Sequence, residues 1–175
     1  SRPCTGSASI LLASEEIVKK YTNSPIWITG IGQKTTSAGF TKNTSLSSME
    51  STKLAGKSAL EMANHNISEI DVAEVHDAFS VCEPMVLESL GFTNPGEGMD
   101  MIKKLNETNN FMINPRGGLI GSGHPLGATG ISQTIEIVQQ LQNTAENRQT
   151  DNPKTGLVHN MSAAATSVAE TQLTL

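Results

Sequence analysis

The chain has little cysteine, no run of basic residues and no long apolar stretch, and each absence excludes a class of protein. Its two cysteines, Cys4 and Cys82, lie far apart with no CxxC spacing, so they supply neither a disulfide framework nor a metal knuckle. Twelve Lys and Arg are scattered among seventeen Asp and Glu, for a net charge of -5. That balance argues against binding to nucleic acid or to an anionic membrane surface. No apolar stretch approaches the ~20 residues that cross a bilayer, so no membrane span is expected. No charged-then-apolar signal segment opens the chain, and the expected location is cytoplasmic. No internal repeat is visible. What is present is 175 residues, 37% hydrophobic and 17% charged, enough for one acidic α/β domain or a domain plus a fragment.

Short apolar runs alternate with helical patterns. Ser7–Ala13 is a small-and-apolar run that predicts a buried strand. Ser14 before Glu15 and Glu16 then predicts a capped helix to about Thr22. A strand is expected over Ile26–Ile31. Ten of the eighteen residues from Thr35 to Thr52 are Ser or Thr, which predicts a long polar loop. A helix over 53–64 gathers Leu54, Ala55, Ser58, Ala59, Met62 and Ala63 on one small-to-apolar face, with His65 at its C-terminal end. Alternation in Ile70–Val75 predicts a strand ending at His76-Asp77, followed by a helix over Ala78–Leu90 that Gly91 closes. In this reading Asp77 caps that helix. A short amphipathic piece is expected around Met101–Leu105. A further helix presents Ile131, Ile135, Val138 and Leu141 on one face. Gly156–Met161 reads as a strand, and Ser167–Leu175 as an edge strand or a free tail.

Six glycines fall within Gly117–Gly130. Gly118 to Gly123 has the GxxxxG spacing of a phosphate loop, but His124-Pro125 stands where Lys and Ser/Thr are required. A dinucleotide GxGxxG starting at Gly121 fails at Leu126. No GxSxG elbow exists, and His76, His124 and His159 lack metal-ligand spacing, so no metal is expected. The segment holds one histidine among glycines, locked by proline just before a helix. A structural turn explains the glycines but not the histidine, so His124 is a candidate acid or base. His76 is a second candidate, because it stands at the C-terminal end of a strand, the edge where open α/β sheets bind ligands.

The strings Val75-His-Asp-Ala-Phe79 and Asn114-Pro-Arg-Gly-Gly-Leu-Ile-Gly-Ser-Gly-His-Pro-Leu-Gly-Ala-Thr-Gly130 resemble the thiolase superfamily. The resemblance is to its sterol-carrier-protein type and the archaeal relatives, which carry HDxF together with GHPxGxxG. Cys4–Glu16 is similar to the family's DGAAA strand and the helix after it. The resemblance implies an α/β fold, a thiolase-like βαβαβαββ half whose mixed sheet packs against helices. Residues 1–24 would be a remnant of the N-terminal half, and residues 25–175 the C-terminal domain.

It further implies acyl transfer on acyl-CoA thioesters, of the acetyl-CoA acetyltransferase type. No covalently bound cofactor is implied; the coenzyme A thioester is the substrate. His124 would activate a nucleophilic cysteine lying outside this chain and, with a water held by His76, help bind the thioester oxyanion. His159 is a third candidate; Gly123, Pro125, Asn160 and Phe79 would contact substrate. The expected partners are acyl-CoA and the missing half, in a homo- or hetero-oligomer. The chain departs from the family in two places. Ala78 replaces the cysteine of HDCF, and His159-Asn-Met-Ser-Ala-Ala-Ala165 replaces the CxG cysteine and crowds its glycines. A non-catalytic subunit of an acyl-CoA-processing complex and a thiolase-like aldolase therefore stand as alternatives.

Overall fold

The computed structural model describes residues 1–36, 47–105, 107–108, 112–162 and 169–174. A single helical turn, α1 (Glu15–Val18), precedes β1 (Gly30–Lys34) and the long helix α2 (Glu50–Ala63). Next come β2 (Val72–Glu74), α3 (Cys82–Leu90), α4 (Gly98–Leu105) and the short β3 (Met112–Ile113). Then follow α5 (Gly118–Ser122), α6 (Thr129–Leu141), β4 (Gly156–Ser162) and β5 (Ala169–Thr174). From β1 onward this is the βαβαβαββ order implied by the resemblance. Among the described residues the strands form one mixed sheet in the order β1-β5-β4-β2-β3. β2 runs parallel to β3 and β4, whereas β5 runs antiparallel to both β4 and β1.

Strand alternation splits the core into two layers. Ala73, Val75, Leu157 and Met161 face α3, where Cys82, Val86, Leu87 and Leu90 cover them. Val72 and Val158 point the other way, onto Ile137 of α6. α2 packs against β1, β5 and α3. Its close approach to β1 needs glycine: a Cβ at Gly32 would lie 1.9 Å from Ala55 O, and one at Gly30 would lie 2.1 Å from Ala59 O. At the far end of α2, Asn64 takes the left-handed conformation (φ 56°) and the His65 N–H returns to Leu60 O.

Several expectations are corrected. Ser7–Ala13 forms no strand, and Leu11 and Leu12 are 85% and 70% exposed. A strand needs a hydrogen-bonding neighbour, and the described pairing here is one bridge, Pro3 to His124. α1 stops at Val18 rather than near Thr22, and β1 starts at Gly30 rather than Ile26. α2 starts at Glu50, inside the expected polar loop, so Ser51 and Thr52 are buried; residues 37–46 of that loop lie outside the described residues. α3 begins at Cys82, because Ala78–Val81 turn before the helix. The 169–174 strand is not at an edge: it sits between β1 and β4. In α6 the expected apolar face is only half-buried, while Gln133, Glu136 and Gln140 are fully enclosed. Hydrogen bonds make that burial tolerable: Glu136 pairs with Arg148 at 3.1 Å, and Gln140 Nε2 donates to Arg148 O at 2.6 Å. No helix among the described residues is long and apolar enough to cross a membrane.

Candidate active site

The alternation of β2 carries past its end, so His76 emerges on the same side as Val72, toward α6. Its ring is almost wholly buried. Opposite it, the glycine-rich segment folds back on itself. Gly117 and Gly118 take positive φ (93° and 61°) and start α5. Gly123 takes φ 88° and turns the chain into His124; a Cβ there would lie 2.9 Å from Cys4 Sγ. Pro125 starts the next turn, its carbonyl accepting from the N–H groups of Ala128 and Thr129 at 2.8 and 3.0 Å. His124 meets His76 edge to face, with ring centroids 5.0 Å apart and planes at 85°.

Each ring is held through Nδ1. The His124 Nδ1 lies 2.7 Å from Thr129 Oγ1, whose hydroxyl also reaches Pro125 O at 3.1 Å. Asn160 Nδ2 donates to His76 Nδ1 at 3.1 Å and to Gln133 Oε1 at 2.8 Å. Burial lowers the affinity of both rings for a second proton. For His76 the pKa falls to about 3, with charge on His159 and His124 adding to the effect of burial. Burial likewise pulls His124 below the ordinary histidine range. Both rings are therefore harder to protonate than a free imidazole.

The two loops are tied together by Asp77. Its Oδ1 accepts the Leu119 N–H at 2.6 Å, so the carboxylate caps α5, not the helix that follows it in sequence. α3 has no side-chain cap. Asn114 makes a second tie: its N–H donates to Ala73 O and its Oδ1 accepts from the Val75 N–H, both at 2.8 Å. This extends the β2–β3 pairing up to His76.

The remaining candidates divide. Asn160 and Gly123 belong to the His76–His124 cluster, and Pro125 begins the turn into α6. Phe79 is more than half exposed, in the turn before α3. His159 lies on the opposite face of β4 from Asn160. Its Nδ1 accepts from the His76 backbone N–H at 3.4 Å, leaving its ring proton on Nε2, which is 3.3 Å from Thr52 Oγ1. Cys82 is buried in the core beside Val86, and burial pushes its thiol pKa up. Ser162 is exposed at the end of β4; Ala163–Ala165, expected to crowd an oxyanion site, lie outside the described residues. The sequence reading passed over Gln133, because a glutamine inside a helical pattern carries no local signal of what it touches.

Comparison with known proteins fits this geometry. The family described as "Thiolase C-terminal domain-like" matches residues 32–173. The chain belongs to the thiolase superfamily. The resemblance to the sterol-carrier-protein type and its archaeal relatives is borne out. The chain is 33% identical to an acetyl-CoA acetyltransferase of Methanothermobacter thermautotrophicus, over 89% of this chain and 41% of that protein. It is 34% identical to sterol carrier protein 2 of Gallus gallus, over 89% of this chain and 30% of that protein. A solved structure titled Ltp2-ChsH2(DUF35) aldolase superposes with a TM-score of 0.77 at 21% identity, covering 91% of this chain and 42% of that one. This thiolase-family chain thus spans less than half the length of these relatives.

Proposed function

We propose that this domain supplies the histidine side of the active site of an acyltransferase acting on acyl-CoA thioesters, of the acetyl-CoA acetyltransferase type. The observation that carries the reading is the pair of imidazoles set edge to face at 5.0 Å, His76 buried and His124 half-buried. Thiolate attack on a thioester needs a base to make the nucleophile and a donor to hold the developing oxyanion. With its Nδ1 proton on Thr129, His124 offers Nε2 as the base. With Nδ1 accepting from Asn160, His76 offers Nε2–H as the donor.

The nucleophilic cysteine comes from the other thiolase half, in the same longer chain or in a separate subunit. Its thiol proton passes to His124 Nε2, and the sulfur adds to the thioester carbonyl carbon. The carbonyl electron pair moves onto oxygen, against His76. Collapse re-forms the carbonyl, breaks the bond to the coenzyme A sulfur and returns the proton from His124 to that thiolate. The acyl group is left on the cysteine. The exposed Leu11, Leu12, Ile120 and Leu126 offer apolar surface for the missing half and support an oligomeric assembly.

The test is His124→Ala in the complete protein, both halves present, assayed for thiolysis of acetoacetyl-CoA. Turnover should fall at least ~100-fold; unchanged turnover would remove His124 from the chemistry. A second reading, retro-aldol cleavage, is favoured by Ala78 standing where HDCF has its cysteine and by the lack of cysteine in the His159–Ala165 motif. Cleavage of a β-hydroxyacyl-CoA with no thiolysis of the β-keto analogue would select it.

A further inference from the structure

α6 buries a glutamine where its neighbours Ile137 and Val158 are apolar, and that glutamine is fully enclosed. Its Oε1 accepts from Asn160 Nδ2 at 2.8 Å, and the same nitrogen donates to His76 Nδ1 at 3.1 Å. Burying a polar side chain among aliphatic ones is costly unless it makes hydrogen bonds. Gln133 makes its described bond to the one residue that holds His76.

We propose that Gln133 is a positioning residue that selects the ring tautomer of His76. A primary amide cannot choose its own orientation: Asn160 could present either its nitrogen or its oxygen to His76 Nδ1. Gln133 is a primary amide too, and its Nε2 has no described hydrogen-bond partner, so the two amides are oriented as a pair. With Gln133 Oε1 toward Asn160, as the structure has it, the Asn160 nitrogen faces both neighbours. His76 Nδ1 is then an acceptor, and its single ring proton sits on Nε2. If both amides were reversed, Asn160 Oδ1 would face His76 and the proton would sit on Nδ1, leaving no N–H at Nε2. The Gln133–Asn160–His76 relay therefore decides whether His76 is a donor or an acceptor at its Nε2. This assignment rests on His76 acting through Nε2–H in the proposed reaction, but the tautomer can be read without any turnover.

The experiment is long-range 1H–15N correlation on the complete protein labelled at histidine, with only four histidines of this chain to assign and His76→Gln identifying the signal. The expected wild-type result is a protonated Nε2 and a bare Nδ1. A protonated Nδ1 in the wild-type protein overturns the proposal. In Gln133→Leu the acceptor is gone and the His76 signals should shift toward a mixture of tautomers. Gln133→Glu, which can still accept from Asn160, should restore the Nε2–H form; no change of tautomer in Gln133→Leu overturns the proposal. On activity, Gln133→Leu should lower kcat ~10–100-fold with KM nearly unchanged, and Gln133→Glu should recover most of it. A lost tautomer with undiminished kcat would leave the relay standing and remove His76 from the proposed reaction.

Discussion

The carboxylate of Asp77 and the backbone N–H of Leu119 meet at 2.6 Å, joining residues 42 apart in sequence. That bond connects the HDAF turn to the first turn of α5. It keeps His76 and His124 within ring contact although they come from different βα connections.

Gly118 lies under the same carboxylate, at φ 61°, where a Cβ would come within 2.1 Å of Asp77 Oδ2. Gly118→Ala should destabilise the fold by about 2–3 kcal/mol, from the left-handed backbone and the displaced carboxylate together. Asp77→Ala should cost about 1–3 kcal/mol, since it leaves a buried N–H without its acceptor. Urea unfolding measures both. A Gly118→Ala protein as stable as wild type would mean that the turn adjusts freely.

Gly32 is expected to resist substitution for a different reason. A Cβ there would meet Ala55 O at 1.9 Å, and that oxygen belongs to helix backbone. Gly32→Ala must push α2 off β1, an overpacking cost of about 1–3 kcal/mol. Gly91→Ala is the contrast: no atom stands near its Cβ position, and only φ 90° opposes it. Thermal unfolding of the two variants should separate steric from backbone strain.

Stability should respond to pH through two groups with opposite signs. Burial raises the Glu74 pKa to about 8, with Arg116 partly opposing the shift. Its contribution is full below the unfolded value near 4.5 and declines as pH rises toward about 8. His76 is lowered from 6.5 to about 3, so its contribution is full above 6.5 and declines as pH falls toward 3. Glu74→Gln should flatten the alkaline decline, and His76→Gln the acid one. Denaturant unfolding from pH 4 to 9 tests the assignment; identical slopes in wild type and variant would refute it.

Arg148 closes the lower end of the polar row on α6. Its Nε and Nη2 lie 3.1–3.3 Å from the carboxylate of Glu136, which is fully buried. Arg148→Met strands that carboxylate and should cost about 2–3 kcal/mol, below the full figure for a buried pair because Arg148 is itself partly exposed. Adding Glu136→Gln should return part of the loss, and a double-mutant cycle reads the coupling.

Much of this fold was legible because its signals are local. Alternation in Ile70–Val75, the glycine after Leu90 and the proline before α6 each report on their own neighbourhood. Family resemblance then set these elements in order and drew His76, His124 and Asn160 to one site. What escaped the reading depends on partners distant in the chain. Asp77 reads as a cap for the helix beside it, but the glycine-rich segment supplies a nearer N–H. Ser7–Ala13 has the composition of a strand, but composition does not provide the neighbour to which a strand must bond. Gln133, Glu136 and Gln140 break the apolar stripe of α6, and only the folded sheet reveals that they face inward.

The position of β5 has a consequence for the order in which the protein assembles. β1 is paired with β5 alone among the described strands, and β5 connects it to the rest of the sheet. During synthesis, β2, β3 and β4 can come together as soon as they have left the ribosome, whereas β1 waits through about 135 further residues for residues 169–174. Until then the edges of β1 and β4 stand open to each other and to any other nascent strand. A chain interrupted just before residue 169 would keep both histidines and leave its first strand with no strand to bind.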